Sequence, residues 1–151
     1  MKVYLLDTNQ CSQIINKNPE ILYRISTLES DDLLVTSVIV CGELIYMAEK
    51  SARKRENLLI IRSLMEQISA ITIDRKIYDT YASIKTEIFN KFAPKEKKRK
   101  RKYKFAETGF GENDLWIVAT AIAYNATTVS ADSDFSRMQE VINFPLECWA
   151  K

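Results

Sequence analysis

The chain has 151 residues, 46% hydrophobic and 28% charged, which suits one domain with its own core and excludes a disordered or fibrous chain. It contains no histidine, and this removes imidazole bases, Ser-His-Asp and Cys-His nucleophiles and His-ligated zinc together. The formal net charge of +2 conceals a segregation: residues 95–104, K-E-K-K-R-K-R-K-Y-K, hold eight basic side chains and one acidic, leaving a net −5 on the other 141 residues.

In chain order, residues 3–6 are a short apolar run ending at Asp7, a pattern that predicts a buried strand with a carboxylate at its C-terminal end. Residues 12–16 and 19–28 read as helical pieces, with Pro19 suited to a first turn. Residues 33–36 form a second strand, and Ser37 caps a helix that starts at Val38, carries Glu43 and runs to about Ser51. Residues 53–69 are amphipathic, with Leu58, Ile61, Leu64, Met65 and Ile68 at helical spacing. A third strand over 70–73 precedes Asp74, which caps a helix lined by Ile77, Tyr81, Ile84, Ile88 and Phe92. Beyond the basic strip, Asn113 is expected to cap a helix with Asp114 in its first turn and Leu115, Val118, Ala119, Ile122 and Ala123 as its buried stripe. A fourth strand over 127–130 ends near Asp132, and residues 146–149 suggest a fifth. Strand alternating with helix predicts an α/β fold with a parallel sheet covered on both faces.

No apolar stretch reaches the roughly 20 residues that span a bilayer, so no membrane partner is expected. Cys11, Cys41 and Cys148 are odd in number and lack a C-x-x-C pair, which argues against a disulfide framework or a structural zinc site. Free thiols and an N-terminus with no signal-peptide pattern lead to the expectation of a cytoplasmic protein.

Ligands of open parallel sheets sit beyond the carboxyl ends of the strands. Asp7 and Asp132 fall at such ends, Glu43 lies early on a helix that follows a strand, and Asp114 opens another helix. Carboxylates gathered this way oppose one another's ionisation, and a divalent cation relieves the conflict. Mg²⁺ and Mn²⁺ prefer oxygen ligands of this kind. Each acid also has a plainer reading alone: Asp114 as a cap, Glu43 as a solvated helix residue, Asp7 as a turn residue in Asp7-Thr8-Asn9.

Four segments carry a family resemblance: L-L-D-T-N at 5–9, V-T-S-V-I-V-C-G-E-L-I-Y at 35–46, G-E-N-D-L-W-I-V-A-T-A at 111–121 and V-S-A-D-S-D-F at 129–135. In this order and spacing they resemble the motifs of PIN-domain ribonucleases, most closely the VapC-type toxins of bacterial toxin–antitoxin pairs. The resemblance implies one PIN-like domain over residues 1–151, a three-layer α/β/α architecture with a central parallel sheet of about four or five strands. It also implies dependence on Mg²⁺ or Mn²⁺, a homodimer, a small cognate antitoxin, and cleavage of tRNA, rRNA or mRNA. It places the four catalytic, metal-holding acids on Asp7, Glu43, Asp114 and Asp132, with Thr8, Asn9 and Ser130 as polar supports. Asp134 is the reserve fourth acid, with the alternative of capping the helix around 135–138.

On this reading Asp7 and Asp114 are the principal ligands, Glu43 and Asp132 complete the pocket, and a water activated by the metal attacks the scissile phosphate in line. The chain departs from the resemblance in a basic loop inserted at about 94–108. Lys97, Lys98, Arg99, Lys100, Arg101, Lys102 and Lys104 are expected there as a flexible contact for the RNA backbone. Tyr103 and Phe105 are placed to stack on an unpaired base. The plainer alternative for the strip is a solvated loop. Trp116 and Trp149 are read as packing or dimer-interface residues. Two rival functions are a catalytically silent RNA-binding or regulatory domain on the same fold, and a phosphohydrolase with Asp7 as covalent nucleophile. The second usually uses another carboxylate two residues on, where this chain has Asn9.

Overall fold

A computed structural model describes residues 1–151. Five parallel strands, β1 (Val3–Leu6), β2 (Leu33–Ser37), β3 (Ser69–Ile71), β4 (Thr127–Val129) and β5 (Leu146–Glu147), form one sheet in the order β3-β2-β1-β4-β5. The eight helices are α1 (Thr8–Ile15), α2 (Pro19–Ser26), α3 (Val38–Lys50), α4 (Lys54–Gln67), α5 (Arg75–Phe92), α6 (Lys97–Lys102), α7 (Glu112–Ala123) and α8 (Ser133–Met138), with a 3₁₀ turn at Phe105–Thr108.

β1 lies at the centre, and Tyr4, Leu5 and Leu6 are all buried, as a strand covered on both faces requires. From β1 the chain moves outward through β2 to β3, then crosses back to lay β4 on the other side of β1 and β5 beyond it. Right-handed crossovers therefore place α1–α4 over one face and α5–α8 over the other. The packing agrees: α1 meets α2, α3 and α4, whereas α5 packs along α7. The strand order reverses between β1 and β4, and that is where ligands of open α/β sheets bind.

Thirty buried apolar residues join in a single core cluster. The expected amphipathic faces supply it: Ile61 and Leu64 from α4, Ile77, Ile84 and Ile88 from α5, and Leu115, Val118 and Ala119 from α7. Ser37 caps α3 by accepting from the amides of Ile39 (3.2 Å) and Val40 (3.3 Å), and Asp74 caps α5 by accepting from Ile77 (2.9 Å). Each such cap stabilises its helix by about 1 kcal/mol.

Three local expectations change. α1 begins at Thr8 rather than residue 12, because Asp7 is its cap instead of a turn residue. α7 is preceded by Gly111 and not capped by Asn113, which puts Asp114 at the third helical position. The basic strip is not a loop throughout, since residues 97–102 form α6; Lys and Arg are good helix formers, and the charge run does not prevent the turn. No helix is long and apolar enough to cross a membrane, and the three cysteines are unpaired.

Candidate metal centre

Asp7 ends β1 and starts α1. Its Oδ1 accepts from the Gln10 amide at 2.8 Å, while its own amide donates to the Val129 carbonyl of β4 at 3.1 Å. The carboxylate is therefore fixed to both central strands, and the residue is only 4% exposed. Burial raises its pKa; hydrogen bonds from the Ser130 hydroxyl and the Gln10 amide oppose the rise, and the negative fields of Asp132 and Glu43 add to it.

Glu43 lies two turns into α3, half-buried, with Oε1 accepting from the Thr8 hydroxyl at 3.1 Å. Thr8 thus ties the second acid to the first acid's helix. Contact between α3 and α7 brings Glu43 near the start of α7, where Asn113 closes a shallow hollow of about 330 Å³ that Glu43 also lines.

Asp114, Asp132 and Asp134 offer carboxylate oxygens that all lie within 4.8 Å of one another. The pKa of Asp114 is pushed up to about 7, first by burial and then by the fields of Asp132, Glu43, Asp134 and Asp7. Asp7 and Glu43 thus act on the close trio of Asp114, Asp132 and Asp134 through their negative fields, at the reversal point of the sheet. Ser130 bears on two of them: it helps hold down the pKa of Asp7, and its Oγ accepts from the Asp132 amide at 3.0 Å.

The two C-terminal acids differ from expectation. Asp132, not Asp134, caps the last helix, with Oδ1 accepting from the Asp134 amide at 2.9 Å. That leaves Asp134 in the first turn of α8, its carboxylate free to join the cluster. Asn9 is exposed, and its Oδ1 accepts from the Gln10 side chain at 3.4 Å instead of holding one of the acids.

Three side chains that brace the surroundings of the acids gave no motif. Gln10 is fully buried and holds the C-terminal segment to α1, donating to the Ala150 carbonyl at 2.8 Å and accepting from its amide at 3.2 Å. Arg137 on α8 pairs with Asp134 at 3.5 Å, donates to the Thr108 carbonyl at 3.0 Å and lies 4.2 Å over the Phe110 ring. It therefore fastens the loop before α7 to the helix bearing the last acids. Gly109 in that loop has φ +82°, a left-handed conformation that favours glycine, and a Cβ there would stand 3.2 Å from the end of the Arg137 side chain. Lys85 of α5 pairs with Glu112 at 2.5 Å and bonds Tyr81, which stacks on Trp116 with centroids 3.7 Å apart. The Arg137–Asp134 spacing of three residues was a readable signal; the Lys85–Glu112 pairing, between distant helices, was not.

No ion pair in the chain involves Asp7, Glu43, Asp114 or Asp132. A group of carboxylates with all-oxygen donors and almost no internal counter-charge fits a hard divalent cation. Its negative charge is otherwise unbalanced.

Comparison with known proteins agrees with this geometry. The PIN-domain family signature matches residues 4–141. Over 150 residues, 99% of each chain, the protein is 30% identical to Ribonuclease VapC2 of Rickettsia felis. It is 28% identical to Ribonuclease VapC1 of Haemophilus influenzae over the same share of both chains. The crystal structure of VapBC2 from Rickettsia felis bound to a promoter DNA fragment superposes with a TM-score of 0.78 at 30% identity, covering 98% of this chain and 99% of that one. The chain belongs to the PIN-domain family and, within it, groups with the VapC proteins.

Proposed function

We propose that the chain is an endoribonuclease, the toxin of a toxin–antitoxin pair, and that Asp7, Glu43, Asp114 and Asp132 hold Mg²⁺ or Mn²⁺ at its active centre. The observation that carries the reading is the convergence of Asp114, Asp132 and Asp134 within 4.8 Å, in the field of Asp7 and Glu43, at the reversal point of the sheet. A divalent cation bound there supplies a water of lowered pKa and offsets charge growing on the phosphate.

The chain's own residues do the positioning. The Gln10 amide fixes one oxygen of Asp7, Thr8 orients Glu43, and the Ser130 hydroxyl fixes the backbone at Asp132. Asp134 is a fifth oxygen donor restrained by Arg137. With no histidine, a protein base for the attacking water has to be one of these carboxylates.

The named relatives that are ribonucleases, and the structural neighbours that are toxin–antitoxin complexes, support the RNA substrate and the antitoxin partner. An apolar hollow between α1, α3 and α4, lined by Ile15, Leu44, Met47, Ile60 and Ile61, is the surface a partner segment would cover. The working unit is a homodimer in the cytoplasm.

The test is cleavage of a labelled RNA by purified protein with Mn²⁺ or Mg²⁺, with and without chelator, beside Asp7→Asn. Cleavage that needs the cation and is lost in the variant is expected. Cleavage that survives chelation, or that Asp7→Asn leaves intact, overturns the reading.

A further inference from the structure

The carboxylate chemistry leaves α6 without a role. Its placement follows from the antiparallel pairing of α5 and α7. Asp74 at the start of α5 bonds Tyr124 at the end of α7, Tyr81 stacks on Trp116, Lys85 pairs with Glu112, and the Phe92 ring lies 5.8 Å from Phe110 before α7 begins. Travelling up α5 is therefore travelling toward Asp114, and the basic segment leaves α5 at the acidic end of the molecule.

The segment is fixed on its return. Tyr103 and Phe105, expected to face an RNA base, are half-buried instead: Tyr103 packs on Phe89 at 5.6 Å, and the Lys85 ammonium stands 4.9 Å over Phe105. Their apolar rings anchor the strip to α5 in place of offering a stacking platform.

Between the anchors, α6 consists of six consecutive exposed cations. Only Arg99 has an acidic partner, Glu96 at 4.0 Å, and both are exposed. The helix has no side-chain cap and is far below the length that holds a helix in water. Its neighbours at i+3 and i+4 are all of like charge, which destabilises it further. A polyanion alongside removes that repulsion.

We propose that α6 grips the backbone phosphates of the RNA strand that runs into the carboxylate cluster, on the flank of the cut. The proposal rests on the ribonuclease reading and gives it a substrate-holding element. An acidic pocket repels phosphate, and a fixed cationic rim at the same end compensates without entering the pocket.

The experiment measures binding of a fluorescein-labelled, unstructured RNA oligonucleotide by anisotropy across a salt series, in the Asp7→Asn background so that nothing is cut. Lys98, Arg99, Arg101 and Lys102 are replaced together by Gln. Kd is expected to rise about tenfold or more, and the slope of log affinity against log salt to flatten by about 2, as loss of three single-strand phosphate contacts predicts. In protein that retains Asp7 the loss appears as a raised KM. A Lys98→Arg/Lys102→Arg variant, which keeps the charge, holds its affinity.

Unchanged Kd and slope in the Gln variant overturn the proposal. So does a variant that loses binding to phosphatidylserine vesicles while its RNA affinity stays the same, which would make α6 a membrane contact. Binding is read without cleavage, so the two ideas fail separately. An inactive protein whose RNA affinity depends on α6 sinks the nuclease reading alone; an active one indifferent to the four changes sinks the grip alone.

Discussion

Glu112 and Asp114 stand two residues apart in the first turn of α7 and meet opposite fates. Glu112 faces α5, where Lys85 and Tyr81 bond it; burial tends to raise its pKa, and these partners outweigh burial and hold it below the ordinary range. Asp114 faces α3 and α8, where burial and four other acids push its pKa up to about 7. One carboxylate is neutralised from within and fastens two helices. The other is left wanting a charge that the fold does not supply. Proximity in sequence says nothing of role here; the counter-charge decides it.

The contrast breaks most visibly by neutralising the second acid. Asp114→Asn should lower RNA cleavage by about a thousandfold or more, on the scale of losing a metal ligand. A steady-state assay at saturating Mn²⁺ checks this, and retention of more than a tenth of the activity would refute it.

A second effect is pH dependence. In chelator, the folded chain binds a proton at Asp114 up to about 7, whereas the unfolded chain releases it near 3.8. The native state therefore holds more protons across that window, and its stability falls as pH rises from 3.8 to about 7. Asp114→Asn should remove this slope, gaining about 1–2 kcal/mol above pH 7 once solvent screening is allowed for. Mn²⁺ must displace the same proton, so its affinity should climb about fivefold between pH 6 and 7. Chemical denaturation and calorimetry at several pH values read both. A flat profile in the unsubstituted protein would show that the two acids are not so different.

Arg137 sharpens the comparison, being the one cation the cluster does have. Arg137→Met keeps the side-chain stem but loses the Asp134 pair, the Thr108 bond and the Phe110 contact. A loss of about 1–2 kcal/mol is expected, with Mn²⁺ held about tenfold more weakly because Asp134 and the loop before α7 lose their common fastening. Glu112→Gln should be mildest. Its pair with Lys85 is half exposed, so the melting temperature should fall by about 2 °C or less and cleavage should persist. A Glu112→Gln variant as inactive as Asp114→Asn would erase the distinction.

Much of the frame was legible because the apolar periods change cleanly from strand to helix. Ser37 and Asp74 announced their helices, and most of the α5 and α7 stripes is buried, although Phe92 is 40% exposed and Tyr81 and Ile122 are only partly buried. A candidate site was legible as four acids, two at strand ends and two on helices. Which of Asp132 and Asp134 would cap α8 was not, because either aspartate suits the position and only the path of the chain out of β4 chooses between them. The fate of Tyr103 and Phe105 was hidden for a similar reason. Aromatics within a charge run look like base platforms until α5 is seen to offer Phe89 and Lys85. Gln10 has no local signature, since its partner is Ala150, at the far end of the chain.

The middle strand of the sheet is also the first of the five in chain order. In β1, Val3 pairs with Leu33 of the next strand, but Tyr4 meets Thr127 only when the chain through β4 is present. Until then one flank of β1 is an unpaired edge, and Asp7 lacks Ser130 and the last acids beside it. Long-range pairings of this kind form slowly. A chain that stops before β4 therefore lacks Ser130, Asp132 and Asp134, and on the proposed reading it has no cutting centre.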